Sequence, residues 1–261
     1  MLFYHHSIHQ NSRWENETLA LENATELRDD FSLRGRCEMF RVNLDSMVAA
    51  HQLHQGSNLR GHLVWARYSH FQNLLSIRNV PTDPEDEEIL QFFRDTNDPD
   101  LFMERNAMSR SEFRKLVSPL VRSGHLIQDY RGGFRTVKPP QKVDLWDAKR
   151  SYLRTLVEDY PVITLKQVER LAGSSFAPEE ISDVMHDFED DGTLIKGFLV
   201  DDLQDICWGR LDMLEGMGRI SRTRDLVIPP SDPLIHYFGS ILRERFGFGS
   251  AYLVFHKEDP I

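Results

Sequence analysis

Residues 109–138, SRSEFRKLVSPLVRSGHLIQDYRGGFRTVK, constrain the fold more than any other stretch of the 261-residue chain. Phe113, Leu116, Val117, Leu120 and Val121 recur at i, i+3, i+4, i+7 and i+8, which aligns their side chains in one stripe along an α-helix. Arg110, Arg114, Ser118 and Arg122 fall on the opposite side, so one face packs and the other is basic. Ser109 with Glu112 three residues later is a capping box, and Gly124 supplies the left-handed residue that ends a helix. Pro119 lies inside the segment, where it deletes the hydrogen bond to the carbonyl of Lys115 and predicts a kink. Beyond the helix, segments 125–130 and 134–138 flank Arg131-Gly132-Gly133, a glycine turn of the kind that closes a β-hairpin.

A helix that runs directly into a two-stranded ribbon is the core of a winged helix, whose third helix enters the major groove of a duplex while the wing reaches a neighbouring phosphate or groove. The preceding text supplies the other two helices. Pro81-Thr82-Asp83-Pro84 breaks the chain, and the acids that follow suit the positive end of a helix over 86–95. Asp98-Pro99 starts a second, short helix to about residue 105. Pro139-Pro140 then closes the unit.

The plan repeats from residue 141. Helices are expected over 144–159, 164–172 (with Thr164 as cap) and 178–190, where Ile181, Val184, Met185 and Phe188 form the i, i+3, i+4, i+7 stripe. Strands over 194–200 and 206–208 form its wing. Gly-x-Leu-Ile occurs at Gly124 and again at Gly192, an offset of 68 residues, immediately after the stripe helix in both units. The expectation is an α+β, mainly helical chain containing a tandem winged-helix repeat. Its divisions are an N-terminal helical region (1–80, with helices over 44–54 and 63–75), a basic winged helix (81–140), an acidic winged helix (141–209) and a C-terminal strand-helix-strand segment (210–261). In that last segment a strand over 224–228 either pairs with one over 251–255 or belongs to a truncated β-barrel.

Net charge is −10, which argues against a chain that coats nucleic acid without specificity, because such binding is driven by counterion release. The mean hides a segregation. Between residues 110 and 154 there are 11 Lys and Arg against 4 Asp and Glu, whereas residues 171–215 carry 12 acids against Lys196 and Arg210. One surface is built for a polyanion and another repels it. No apolar run approaches the roughly 18 residues of a membrane span, and the N-terminal MLFYHHSIHQNSRW lacks the basic and apolar regions of a signal peptide. Cys37 and Cys207 suggest neither a disulfide framework nor a zinc site. A cytoplasmic compartment is the expectation.

The candidate DNA-contacting residues are Arg110, Arg114, Lys115, Ser118 and Arg122 on the helix, with Arg131, Arg135 and Lys138 on the wing. Such side chains position a protein on phosphates and, where they reach base edges, read sequence. The plain alternative is an ordinary solvated basic face. The stripe helix of the second unit, PEEISDVMHDFEDD, bears seven acids and suits packing or a protein partner. His51 and His54 share a helical spacing, with His62 and His70 nearby, but no Cys or Glu partner at zinc-site spacing accompanies them, and no metal is expected. No Walker loop and no Gly-x-Ser-x-Gly elbow is present, so no cofactor is expected.

Two tandem winged helices followed by Pro229-Pro230-Ser231-Asp232-Pro233-Leu234 and Arg245-Phe246-Gly247-Phe248 resemble the AlkZ/YcaQ-type winged-helix DNA glycosylases and related C-terminal modules of large helicases. The resemblance spans about residues 40–261. Asn43-Leu44-Asp45 is similar to the Gln-x-Asp motif of that family, with Asn in place of Gln, and Trp65-Ala66-Arg67-Tyr68 falls where its aromatic-basic segment follows. The resemblance implies that Asp45 orients a water against the glycosidic carbon of an alkylated base and that Asn43 assists. Read without it, Asn43 and Asp45 are ordinary helix N-caps ahead of Met47-Val48. Three functions follow: duplex DNA binding through the first unit, excision of alkylated bases, or a protein scaffold working through the acidic second unit.

Overall fold

The computed structural model describes residues 53–129, 131–138, 143–158, 162–199 and 205–210, together with residues 26, 48, 226–228, 243–244, 247, 253–256 and 259–260. The chain divides into two compact units, Val48–Tyr152 and the remainder.

The first unit opens with a hairpin, β1 (Leu53–Ser57) and β2 (Leu63–Arg67), followed by helix α1 (Tyr68–Arg78). Helices expected over 44–54 and 63–75 are thus corrected at 53–57 and 63–67, where the chain is extended. The reason lies in the five residues between the strands. The Asn58 side chain accepts from the backbone N–H of Arg60 and His62, while Asn58 N–H donates to His62 C=O at 2.8 Å. An Asx turn of this kind reverses the chain and favours strands on either side. Arg78 at the end of α1 secures the turn by donating to the carbonyls of Ser57 and Asn58.

Three helices follow: α2 (Pro84–Asp95), α3 (Pro99–Arg105) and α4 (Arg110–Ser123). Each starts on a side-chain cap, from Asp83, Asp98 and Ser109 respectively, and Ser109 and Glu112 form the reciprocal capping box read from the sequence. Gly124 adopts φ +91°, a conformation that costs a residue with a Cβ, and its N–H closes the helix on Leu120 and Val121. Pro119 is exposed and α4 runs unbroken past it. Phe113, Val117 and Leu120 are buried against Phe93, Phe102, Leu126 and Phe134. The aromatic rings meet at centroid distances of 5.4 Å (Phe93–Phe102), 5.5 Å (Phe93–Phe134) and 5.6 Å (Phe113–Phe134), within the range in which ring pairs add to area burial.

Strands β3 (Leu126–Gln128) and β4 (Phe134–Thr136) pair antiparallel, and β3 also pairs with β1, giving the order β2-β1-β3-β4. The register sets Gln55 opposite both Trp65 and Gln128, and Gln128 opposite Phe134. Because side chains alternate along a strand, Gln55, Ser57, Leu63, Gln128 and Phe134 occupy the sheet face that meets α2–α4. His54, Gly56, Ala66, Ile127 and Arg135 occupy the other, toward α1.

On that second face His54 is buried beside Tyr68, and its two ring nitrogens have no hydrogen-bond partner among the described residues. Burial, helped by the Arg135 charge and opposed by Asp129, pushes its pKa from 6.5 down to about 4. A folded pKa below the unfolded one means that the neutral ring's contribution is complete above pH 6.5 and is lost as pH falls toward 4. The melting temperature should decline across that window, by an amount corresponding to about 2 kcal/mol for this residue. A His54→Phe variant followed by circular dichroism should decline less steeply; parallel curves would contradict the assignment.

The second unit contains α5 (Leu145–Glu158, which begins in the first), β5 (Val162–Thr164), α6 (Leu165–Ala172), a short turn of 3-10 helix (Gly173–Ser175), α7 (Pro178–Asp190), β6 (Ile195–Gly197) and β7 (Cys207–Gly209). Thr164 and Gln167 form another capping box. Ile181, Val184, Met185 and Phe188 are buried on α7, matching the stripe spacing, and Leu153, Val168 and Trp208 are buried elsewhere in the unit. The sheet order is β5-β7-β6.

Elements α2–α4, β3 and β4 of the first unit and α5–α7, β6 and β7 share the order of three helices followed by two strands. In the second unit a strand between the first two helices pairs with the last ribbon strand. In the first, that strand is reduced to one hydrogen bond, from Phe134 N–H to Asn97 C=O at 3.0 Å, and the β1–β2 hairpin covers the opposite edge of the ribbon. Toward the C-terminus, β8 (Leu226–Ile228), β9 (Leu253–His256) and β10 (Asp259–Pro260) form an open antiparallel sheet in the order β10-β9-β8. The two strands expected there pair with each other, and the described residues form no closed barrel. No helix among the described residues is long and apolar enough to cross a membrane.

Candidate nucleic-acid interface

A groove of about 750 Å³ runs beside α4 within the first unit. One wall is α4, through Arg110, Arg114, Val117, Ser118, Val121 and Arg122. The floor is the sheet, through Gln55, Ser57, Gln128 and Phe134, and the far side is the hairpin, through Gly61 and Leu63. The turn between β3 and β4 contributes Arg131 and Gly132, and Pro99, Asp100 and Met103 close the end near the start of α4.

Of the basic and polar residues singled out in the sequence, the fold brings five together here: Arg110, Arg114, Ser118, Arg122 and Arg131. Arg110 and Arg122 are twelve residues apart on the helix, which at 1.5 Å per residue spans about 18 Å. Arg114 and Arg122 form no ion pair with any described residue. Arg110 has one weak partner, Asp100 at 3.9 Å, with both side chains largely in solvent, a geometry of little energetic weight. The Ser118 hydroxyl donates back to the Arg114 carbonyl at 2.5 Å.

Arg131 is held by the turn that carries it. Asp129 accepts from the backbone N–H groups of Arg131 and Gly133 at 2.8 and 2.9 Å, and its own N–H donates to Gly133 C=O. The Gln128 side chain donates to Gly132 C=O at 3.2 Å. The turn is thus fixed by its own hydrogen bonds, which lowers the entropy lost on engaging a ligand.

Three candidates lie elsewhere. Lys115 is exposed on α4 but does not line the groove. Arg135 points to the opposite face of the sheet, where its guanidinium sits over the Tyr68 ring at 4.5 Å. The backbone of Lys138 is tied to α1, donating to the Tyr68 hydroxyl at 3.1 Å and accepting from Gln72 at 2.8 Å. Arg135 and Lys138 lie two and five positions past the Arg131-Gly132-Gly133 turn, and alternation along β4 places Arg135 on the face opposite Phe134. Asn43 and Asp45 lie outside the described residues.

Gln55, Ser57, Leu63 and Gln128 also line the groove, though no motif in the sequence marks them. The signal was present in part: Asn58 and Gly61 between two short apolar-alternating segments read as a hairpin. Pairing of β1 with β3, which brings Gln55 to Gln128, is a long-range contact that no local pattern encodes.

The acidic helix α7 presents Glu179, Asp183, Asp187 and Asp190 to solvent. Lys196 lies 3.8 Å from Glu189 and Arg154 lies 3.3 Å from Asp191. A phosphate backbone is repelled there.

Architecture and surface together define an α+β chain of mixed helices and small antiparallel sheets that concentrates positive charge in one groove. No family model matches the chain, and no curated protein sequence does. Among solved structures, the DNA glycosylase AlkZ of Streptomyces sahachiroi is similar, with a TM-score of 0.60 and 14% sequence identity over 94% of this chain and 80% of that one. The two proteins share a fold.

Proposed function

We propose that this chain binds DNA, and that it does so through a winged helix over residues 81–140 whose third helix, α4, and wing turn place Arg110, Arg114, Arg122 and Arg131 on the phosphate backbone. A second winged helix over 141–209, too acidic for phosphate on α7, serves as scaffold. The observation that carries the reading is the convergence of four arginines from a capped helix and a rigid turn on one groove. Phosphate contacts of this kind release counterions, so affinity falls with salt at a slope of about −0.9 per contact. An electrophoretic titration of duplex DNA at two salt concentrations should give a slope near −4 for about four such contacts. Absence of binding at low salt would exclude the proposal.

A second reading, base excision, is favoured by the fold shared with a DNA glycosylase over nearly the whole chain. In it Asp45 orients the hydrolytic water and its negative charge stabilises the oxocarbenium-like sugar left as a cationic alkylated base departs. Asn43 assists as a hydrogen-bonding group. Incubation with alkylated duplex should release a methylated base with wild-type protein and not with Asp45→Ala. No release by wild-type protein from several alkylated duplexes counts against this reading and leaves DNA binding intact.

A further inference from the structure

The groove beside α4 is bounded on both sides, and that limits what enters it. An α-helix with its side chains is about 10–12 Å across and fills a major groove about 12 Å wide when both its flanks are free. One flank of α4 is the groove, and beyond it stands the β1–β2 hairpin, held at its turn by Arg78. Helix and hairpin together are wider than a major groove, so paired bases stay out of reach of the floor. A single strand is thin enough to enter.

The floor offers two amides. Gln55 and Gln128 face each other across the β1–β3 pair, and directly opposed residues in an antiparallel pair have Cβ atoms about 4.5–5.5 Å apart. The Gln55 amide has no hydrogen-bond partner among the described residues, and Gln128 donates to Gly132 while its side-chain carbonyl stays available. An amide carries a donor and an acceptor side by side, which complements the edge of an unpaired base. Above the floor the α4 wall supplies a row of positive charge, the usual companion of such contacts in grooves that track a single strand.

The geometry points to an unpaired nucleic-acid strand as the ligand of this groove, its phosphates along Arg110, Arg114 and Arg122 and a base edge on Gln55 and Gln128. The inference rests on the DNA-binding reading and adds the substrate class: DNA with unpaired nucleotides within or beside a duplex. Asp100 at the closed end, the one acid among the described residues lining the groove, sets the strand's limit there by repelling phosphate.

Fluorescence anisotropy of the full chain with an intact duplex and with the same duplex carrying a short single-stranded gap tests it. The gapped DNA should bind about tenfold tighter. Gln55→Ala/Gln128→Ala should bring that ratio near one; Gln55→Asn, which shortens the arm but keeps the amide, should lower the ratio partway and serves if the double variant does not fold. Equal wild-type affinities for the two DNAs, or a ratio unaffected by the glutamine substitutions, overturns the inference while the DNA-binding reading stands. Failure to bind either DNA overturns both.

Discussion

Replacing Arg114 and Arg131 together with alanine should weaken duplex binding about thirtyfold at moderate salt and flatten the salt dependence by about two contacts' worth of slope. The two residues come from different elements and face one groove, so each removes a separate phosphate contact. The loss should be nearly uniform across DNA sequences, because phosphate contacts carry no direct sequence information. Arg135→Ala provides the internal comparison: its guanidinium lies over Tyr68 on the opposite sheet face, and its removal should leave the slope unchanged. An unchanged affinity in the double variant would show that α4 and the β3–β4 turn do not form the contact surface.

Gly56→Ala should destabilise the protein by about 3 kcal/mol. A Cβ at this position would lie 2.6 Å from the Phe71 ring and 2.8 Å from the Ile127 side chain. Both neighbours are fully buried, so neither has solvent to move into, and the strain passes to the seam between β1, β3 and α1. The melting temperature should fall by about 10 °C. Since β1 carries Gln55 and Ser57 into the groove, the same variant should also weaken discrimination between gapped and intact DNA. A melting temperature within about 2 °C of wild type would mean that β1 does not pack as closely as described.

Local signals located the helices well. The caps at Asp98, Ser109 and Thr164 and the stripe from Ile181 to Phe188 appear where spacing placed them, because a helix satisfies its hydrogen bonds within a few residues and its ends are marked by side chains that reach three positions along. The ribbon of the first unit was legible for a similar reason, as its turn lies between its strands. Misreading of residues 53–57 and 63–67 has the opposite cause. Those five-residue strands contain helix-compatible Leu, Gln and Ala, and only the Asx turn at Asn58 and partners more than sixty residues distant decide their conformation.

The amino-acid sequence by itself determined that α4 is capped, amphipathic and basic on one side, that a tight turn follows it, and that its counterpart α7 is acidic. These are properties of neighbours along the chain. Tertiary structure decided that the basic face borders a groove instead of open solvent. Pairing of β1 with β3 brings Gln55 to Gln128 and sets a hairpin opposite α4, and strand alternation turns Arg135 to the far face while Arg131 stays at the rim. The physical reason is that strand partnership is a non-local choice, settled by burial of Phe71, Ile127 and their neighbours on one side of the sheet and Phe113 and Phe134 on the other.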